Sequence, residues 1–102
     1  MPYGDWINEF PTEFFLVVHV AAFALGAGFA WAAFKKELTL LASAFSLFAA
    51  AEIVYMTYHL DWTVFLFAHT IAEVLDLVAF VVVFAAAVLS VARRPALEAT
   101  RP

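Results

Sequence analysis

The chain has 102 residues, 67% of them hydrophobic and only 14% charged, which is too apolar for a soluble domain of this size. A net charge of −4 with no basic cluster excludes nucleic acid as a partner. The absence of cysteine removes disulfides, thiolate metal sites and cysteine catalysis. The medium implied for most of the chain is the lipid bilayer.

The amino-terminal segment is acidic (Asp5, Glu9, Glu13) and has no positive region ahead of the first apolar run, so that run does not read as a cleavable signal peptide. Residues 5–10 place Trp6, Ile7 and Phe10 on one side and predict a short interfacial turn before Pro11 opens the first span. Apolar runs then cover residues 14–34, 38–58 and 62–92, separated by Lys35-Lys36-Glu37 and His59-Leu60-Asp61. As helices the first two are about 31 Å long, the thickness of a bilayer core, and the third is about 46 Å, well beyond it. The expectation is an all-α integral membrane protein with one membrane domain, 1–102. It has an outer interfacial segment (1–13), three spans in an up-down-up bundle and a cytoplasmic tail (93–102). Asp61 is the expected N-cap of the third helix, and Tyr55, Tyr58 and Trp62 form an aromatic belt at the outer boundary.

Lys and Arg give the direction. Lys35 and Lys36 lie in the first loop and Arg93, Arg94 and Arg101 in the tail, while the amino terminus and second loop have neither. The positive-inside rule then places the amino terminus outside and the carboxyl terminus in the cytoplasm, in a multi-pass protein of the cell (cytoplasmic) membrane. The overlong third helix, together with a strip of small residues on the first (Ala22, Gly26, Ala30, Ala33) that permits close helix packing, predicts a homo-oligomer or other membrane subunits as partners.

The ionisable residues within the spans cluster toward the outer side. Counted inward at 1.5 Å per residue, His19 lies about 7 Å deep, Glu52 and His69 about 9 Å, Glu73 about 15 Å and Asp76 about 20 Å. On the first helix His19 shares its side with the small-residue strip. Glu52, Tyr55 and His59 share a face of the second. On the third a stripe runs Phe65, His69, Glu73, Asp76, Phe80, Val83, Ala87, expected to face the other helices or a neighbouring subunit. Unpaired charges at such depth cost several kcal/mol, about 2.5–3.5 for each residue at a span centre. The acids must therefore be protonated, paired with His, bound to a cation, or wet.

Four readings follow. A divalent transition metal could be held by His19, Glu52, His69 and Glu73, with Asp76 orienting an imidazole. Asp76, Tyr55 and His59 could instead extend a proton or cation relay through His69 and Glu73, though nothing titratable continues from Asp76 toward the cytoplasm. His19 and His69, at similar depth, could be axial ligands of haem b. Lastly, the polar residues could be interhelical hydrogen-bond glue in an assembly subunit. No catalytic constellation or phosphate-binding loop is present, so an enzyme is the least supported class. Pro11-Thr12-Glu13-Phe14-Phe15 resembles the Pro-x-Glu…Phe motif of the heterodimeric lycopene cyclases, whose subunits are also small three-span proteins. The likeness covers five of 102 residues and carries no function across.

Overall fold

The structure, a computed structural model, describes the backbone of residues 3–99 and the side chains of residues 3–93. A short 3-10 helix, Asp5–Glu9, precedes three α-helices: α1 (Thr12–Lys35), α2 (Thr39–His59) and α3 (Phe65–Ala99). All three are long and apolar enough to cross a membrane, by length and composition, and an all-helical chain is the form in which a lipid-embedded backbone satisfies its own polar groups. α1 overruns its expected span at both ends, whereas α2 starts one residue later and ends one later, and α3 starts three residues later and runs on past residue 92. Residues 93–99, expected as tail, continue α3, and residues 100–102 of that tail lie outside the described residues.

Pro11 stands immediately before α1 with φ −68° and ψ 155°, where its missing N–H leaves no bond unmade. The two interhelical turns are built alike. After α1, Glu37 N–H donates to Phe34 O (3.0 Å) and Leu38 N–H to Ala33 O (2.9 Å); after α2, Asp61 N–H donates to Tyr58 O (3.0 Å) and Trp62 N–H to Thr57 O (2.9 Å). Each is a Schellman motif. Its pivot is a left-handed residue, Glu37 (φ 62°) or Asp61 (φ 63°), at the position where glycine is the usual occupant. Asp61 therefore terminates α2 rather than capping α3, which begins four residues later at Phe65.

α2 is the central element. Its backbone packs against both α1 and α3, while those of α1 and α3 do not approach one another. Contacts run in reverse order along each pair: Phe15 meets His59 and Phe29 meets Phe45 between α1 and α2, and Tyr58 meets Phe65 and Tyr55 meets Glu73 between α2 and α3. The Thr57 and Thr63 hydroxyls, 3.0 Å apart, tie the end of α2 to the segment leading into α3.

The core is made of small residues. The buried hydrophobics are all alanine: Ala33 on α1, Ala42, Ala44, Ala49 and Ala51 on α2, and Ala68, Ala72 and Ala79 on α3, with Gly26 buried beside them. Among the described residues no large side chain is fully buried, and large apolar side chains such as Val17, Phe29 and Trp31 on α1, Leu40 and Ile53 on α2, and Phe80 and Phe84 on α3 point outward. This inversion of a soluble core is what lipid permits, because helices in a bilayer associate by close backbone approach rather than by hiding apolar bulk. On the α1 strip Gly26 and Ala33 are buried and Ala22 and Ala30 half-buried.

The α3 stripe does not form the seam with α2. Ala68, Ala72 and Ala79 form the face on α2, whereas His69, Glu73 and Phe80 are exposed and Asp76 is half-buried. The stripe lies one residue around the helix from the seam, along its edge. Alanine allows closer approach than His or Glu, so the alanine face takes the contact. α3 is also the longest element, 35 residues against 21 for α2, about 52 Å as a helix.

Candidate functional site

Polar side chains gather at the end of the bundle formed by the start of α1, the end of α2 and the start of α3. Their centre is a short polar contact: His19 Nδ1 lies 2.5 Å from Glu52 Oε2. Glu52 is the one buried charged residue among those described, 8% exposed. It sits next to Ala51, on the part of α2 pressed closest to its neighbours. An isolated carboxylate there would be prohibitively costly, and the imidazole reaching across from α1 supplies its partner.

Around the pair, rings interleave. Phe15 stacks on His59 (5.0 Å between centroids, planes parallel), His59 lies 5.2 Å from His19, and His19 stacks on Tyr55 at 5.2 Å. Both contributing pairs, 15/19 on α1 and 55/59 on α2, have the four-residue spacing that puts side chains one above the other on a helix face. His59, expected in a solvated loop, is instead the last residue of α2 and half-buried in this column. The signal was in the sequence: His59 continues the Glu52–Tyr55 face that the same spacing defines.

Tyr55 also reaches α3, donating its hydroxyl to Glu73 Oε1 at 3.0 Å. A continuous contact path thus runs from Glu52 through His19 and Tyr55 to Glu73, crossing all three helices. His69 is not part of it; its ring is exposed and stacks on Phe65 at 5.2 Å. Asp76 stands apart from the path yet close enough to Glu52 and Glu73 to feel their charge. Its Oδ1 is shielded from solvent and has no hydrogen-bond partner among the described residues.

The expected metal set divides accordingly. His19 pairs with Glu52, Glu73 accepts from Tyr55, and His69 is spent on an aromatic neighbour. Among the described residues, no three His, Asp or Glu side chains are gathered where they could hold one metal ion.

Asp76 opens onto a groove of about 550 Å³. Because α1 and α3 do not close on each other, α2 forms its floor through Phe45 and Phe48, and the helices on either side supply Phe29 and Phe80. Asp76 is the one ionisable residue among its lining side chains. Sequence reasoning missed the groove, since it depends on which faces α1 and α3 leave uncovered.

Comparison with protein-family models, with curated proteins and with solved structures finds no match. The class is that of an all-helical protein with three helices able to cross a membrane, compatible with a small multi-pass membrane protein.

Proposed function

We propose that the protein is a proton-exchanging membrane subunit, in which the His19–Glu52 pair binds and releases a proton inside the bilayer as part of an oligomer or larger membrane complex. The observation that supports this most is the pair itself, buried at Glu52 and half-buried at His19, 2.5 Å from nitrogen to oxygen. With one proton between them the two side chains are together neutral, whether as imidazole and carboxylic acid or as imidazolium and carboxylate. Losing that proton leaves a net negative charge in the span, and the cost of such a charge, about 2.5–3.5 kcal/mol at a span centre, couples protonation to the surroundings of the pair.

The rest of the path fits this role. Tyr55, stacked on His19 and donating to Glu73, supplies a hydroxyl between the pair and an exposed carboxylate. His59 caps the other side. Beyond Asp76 the groove walls are apolar, so exchange takes place with one face of the membrane and the chain is a proton-binding site rather than a complete channel. The Lys and Arg distribution assigns that face to the outside, with the amino terminus, in a cytoplasmic-membrane protein that crosses up, down and up. A metal at the same residues would require Glu73 to leave Tyr55 and His69 to leave Phe65.

The test is a proton count. Purified protein in lipid nanodiscs, shifted from pH 8 to pH 5 in weakly buffered medium with an indicator dye, should take up one more proton than Glu52→Gln. Metal analysis and a visible spectrum on the same sample should show neither stoichiometric metal nor haem. Equal proton counts, or one bound metal per chain lost on His19→Ala, would overturn the proposal.

A further inference from the structure

We infer that the groove between α1 and α3 binds an elongated lipid-soluble amine, with its hydrocarbon body on the phenylalanines and its ammonium group on Asp76. The inference goes beyond the proton pair, and the ligand it describes touches neither His19 nor Glu52.

Three observations converge on this ligand class. The groove, about 550 Å³, is within the roughly 300–1,000 Å³ of small-molecule sites, which are mostly apolar with a few placed polar groups. Here the polar group is the Asp76 carboxyl, whose Oδ1 is shielded and lacks a partner among the described residues. In an apolar medium such an acceptor is costly until a donor reaches it. Charge selects the donor. Among the described residues Glu52 has His19 and Glu73 has the Tyr55 hydroxyl, while no cationic side chain lines the groove beside Asp76. No Lys or Arg lies in the chain between Lys36 and Arg93, so the acidic excess has no cation of its own. An ammonium group supplies both the missing hydrogen bond and the missing charge.

A second copy of the chain is a poorer occupant. Its helices carry Lys and Arg only toward their ends, Lys35 on α1 and Arg93 and Arg94 on α3, and a parallel copy at the same depth would carry His69 seven residues, about 10 Å, away from the Asp76 level. The α1 strip that could dock a helix is also already used, because Gly26 faces Phe48 within the same chain.

The experiment uses the full chain in nanodiscs and a long-chain alkylamine carrying a photoreactive diazirine near its middle, beside the methyl ester of matched length. The amine should label groove residues such as Phe29, Phe45 or Phe80. Asp76→Asn should lower that labelling about tenfold, as loss of one hydrogen bond to a charged group would, and leave the ester unaffected. Val83→Trp, which narrows the groove from a half-exposed position away from the helix seams, should lower labelling by both probes while the helical circular dichroism stays unchanged. Three results would overturn the inference: equal amine labelling of Asp76→Asn and wild type, label spread over all lipid-facing positions, or a groove-to-groove cross-linked dimer that excludes the probe.

Discussion

Gly26→Ala probes how the bundle is held together. A Cβ at this position would lie 2.8 Å from Phe48 Cδ1 and 3.4 Å from the Phe45 carbonyl oxygen. The carbonyl distance is tolerable; the ring contact is not. Relieving it to the same 3.4 Å moves the ring by about 0.6 Å, in a seam where overpacking by one methyl group costs about 1–3 kcal/mol. Gly28 supplies the control, with nothing within 4 Å of its Cβ position. Both substitutions gain the same helix preference of alanine over glycine, about 1 kcal/mol, so it cancels in the comparison. Gly26→Ala should thus be less stable than Gly28→Ala by about 1–3 kcal/mol, measured as SDS-induced unfolding in mixed micelles by circular dichroism. Combining Gly26→Ala with Phe48→Ala should erase the difference, because the obstructing ring is gone. Equal stability of the two single variants would refute close packing of α1 on α2 through Gly26.

Other outcomes follow from the turns, the ring column and the charges. Glu37→Gly should stabilise the fold by up to about 1 kcal/mol in the same unfolding assay, since it relieves a left-handed conformation that non-glycine residues adopt at a cost. His59→Ala should destabilise by about 0.5–1.5 kcal/mol, the value of one aromatic stacking contact, where a solvated loop histidine would cost nothing measurable. Lys35 and Lys36 should resist membrane-impermeant amine reagents in intact cells and react after permeabilisation; labelling from outside would reverse the proposed orientation.

Much of the fold was legible because lipid imposes a simple rule. Three apolar runs broken by two short polar segments can form little else, and the α1 strip of Ala22, Gly26, Ala30 and Ala33 showed where α1 would be approached closely. Depth counting also matched His19 with Glu52, the contact the structure makes. What the sequence did not show was which residues of α3 take the seam with α2. The eye follows the polar residues His69, Glu73 and Asp76 inward, but Ala68, Ala72 and Ala79 take the seam because small side chains outcompete polar ones for close contact. A difference of one residue, about 100°, moved His69 away from the pair and left Asp76 on a groove wall. The α2–α3 turn was misread for a related reason: Asp favours both helix N-caps and left-handed turns, and only the hydrogen bonds of Asp61 and Trp62 distinguish them.

The proposal that His19 and Glu52 share one exchangeable proton is tested most directly by magnetic resonance in lipid bilayers. His19 Nδ1 would be labelled with nitrogen-15 and the Glu52 carboxyl with carbon-13, and both signals followed across pH. Were one proton shared across this contact, the two signals should move together, and Glu52→Gln should abolish the joint step in the His19 signal. Independent midpoints for the two groups, with the His19 titration unchanged in Glu52→Gln, would contradict the shared proton.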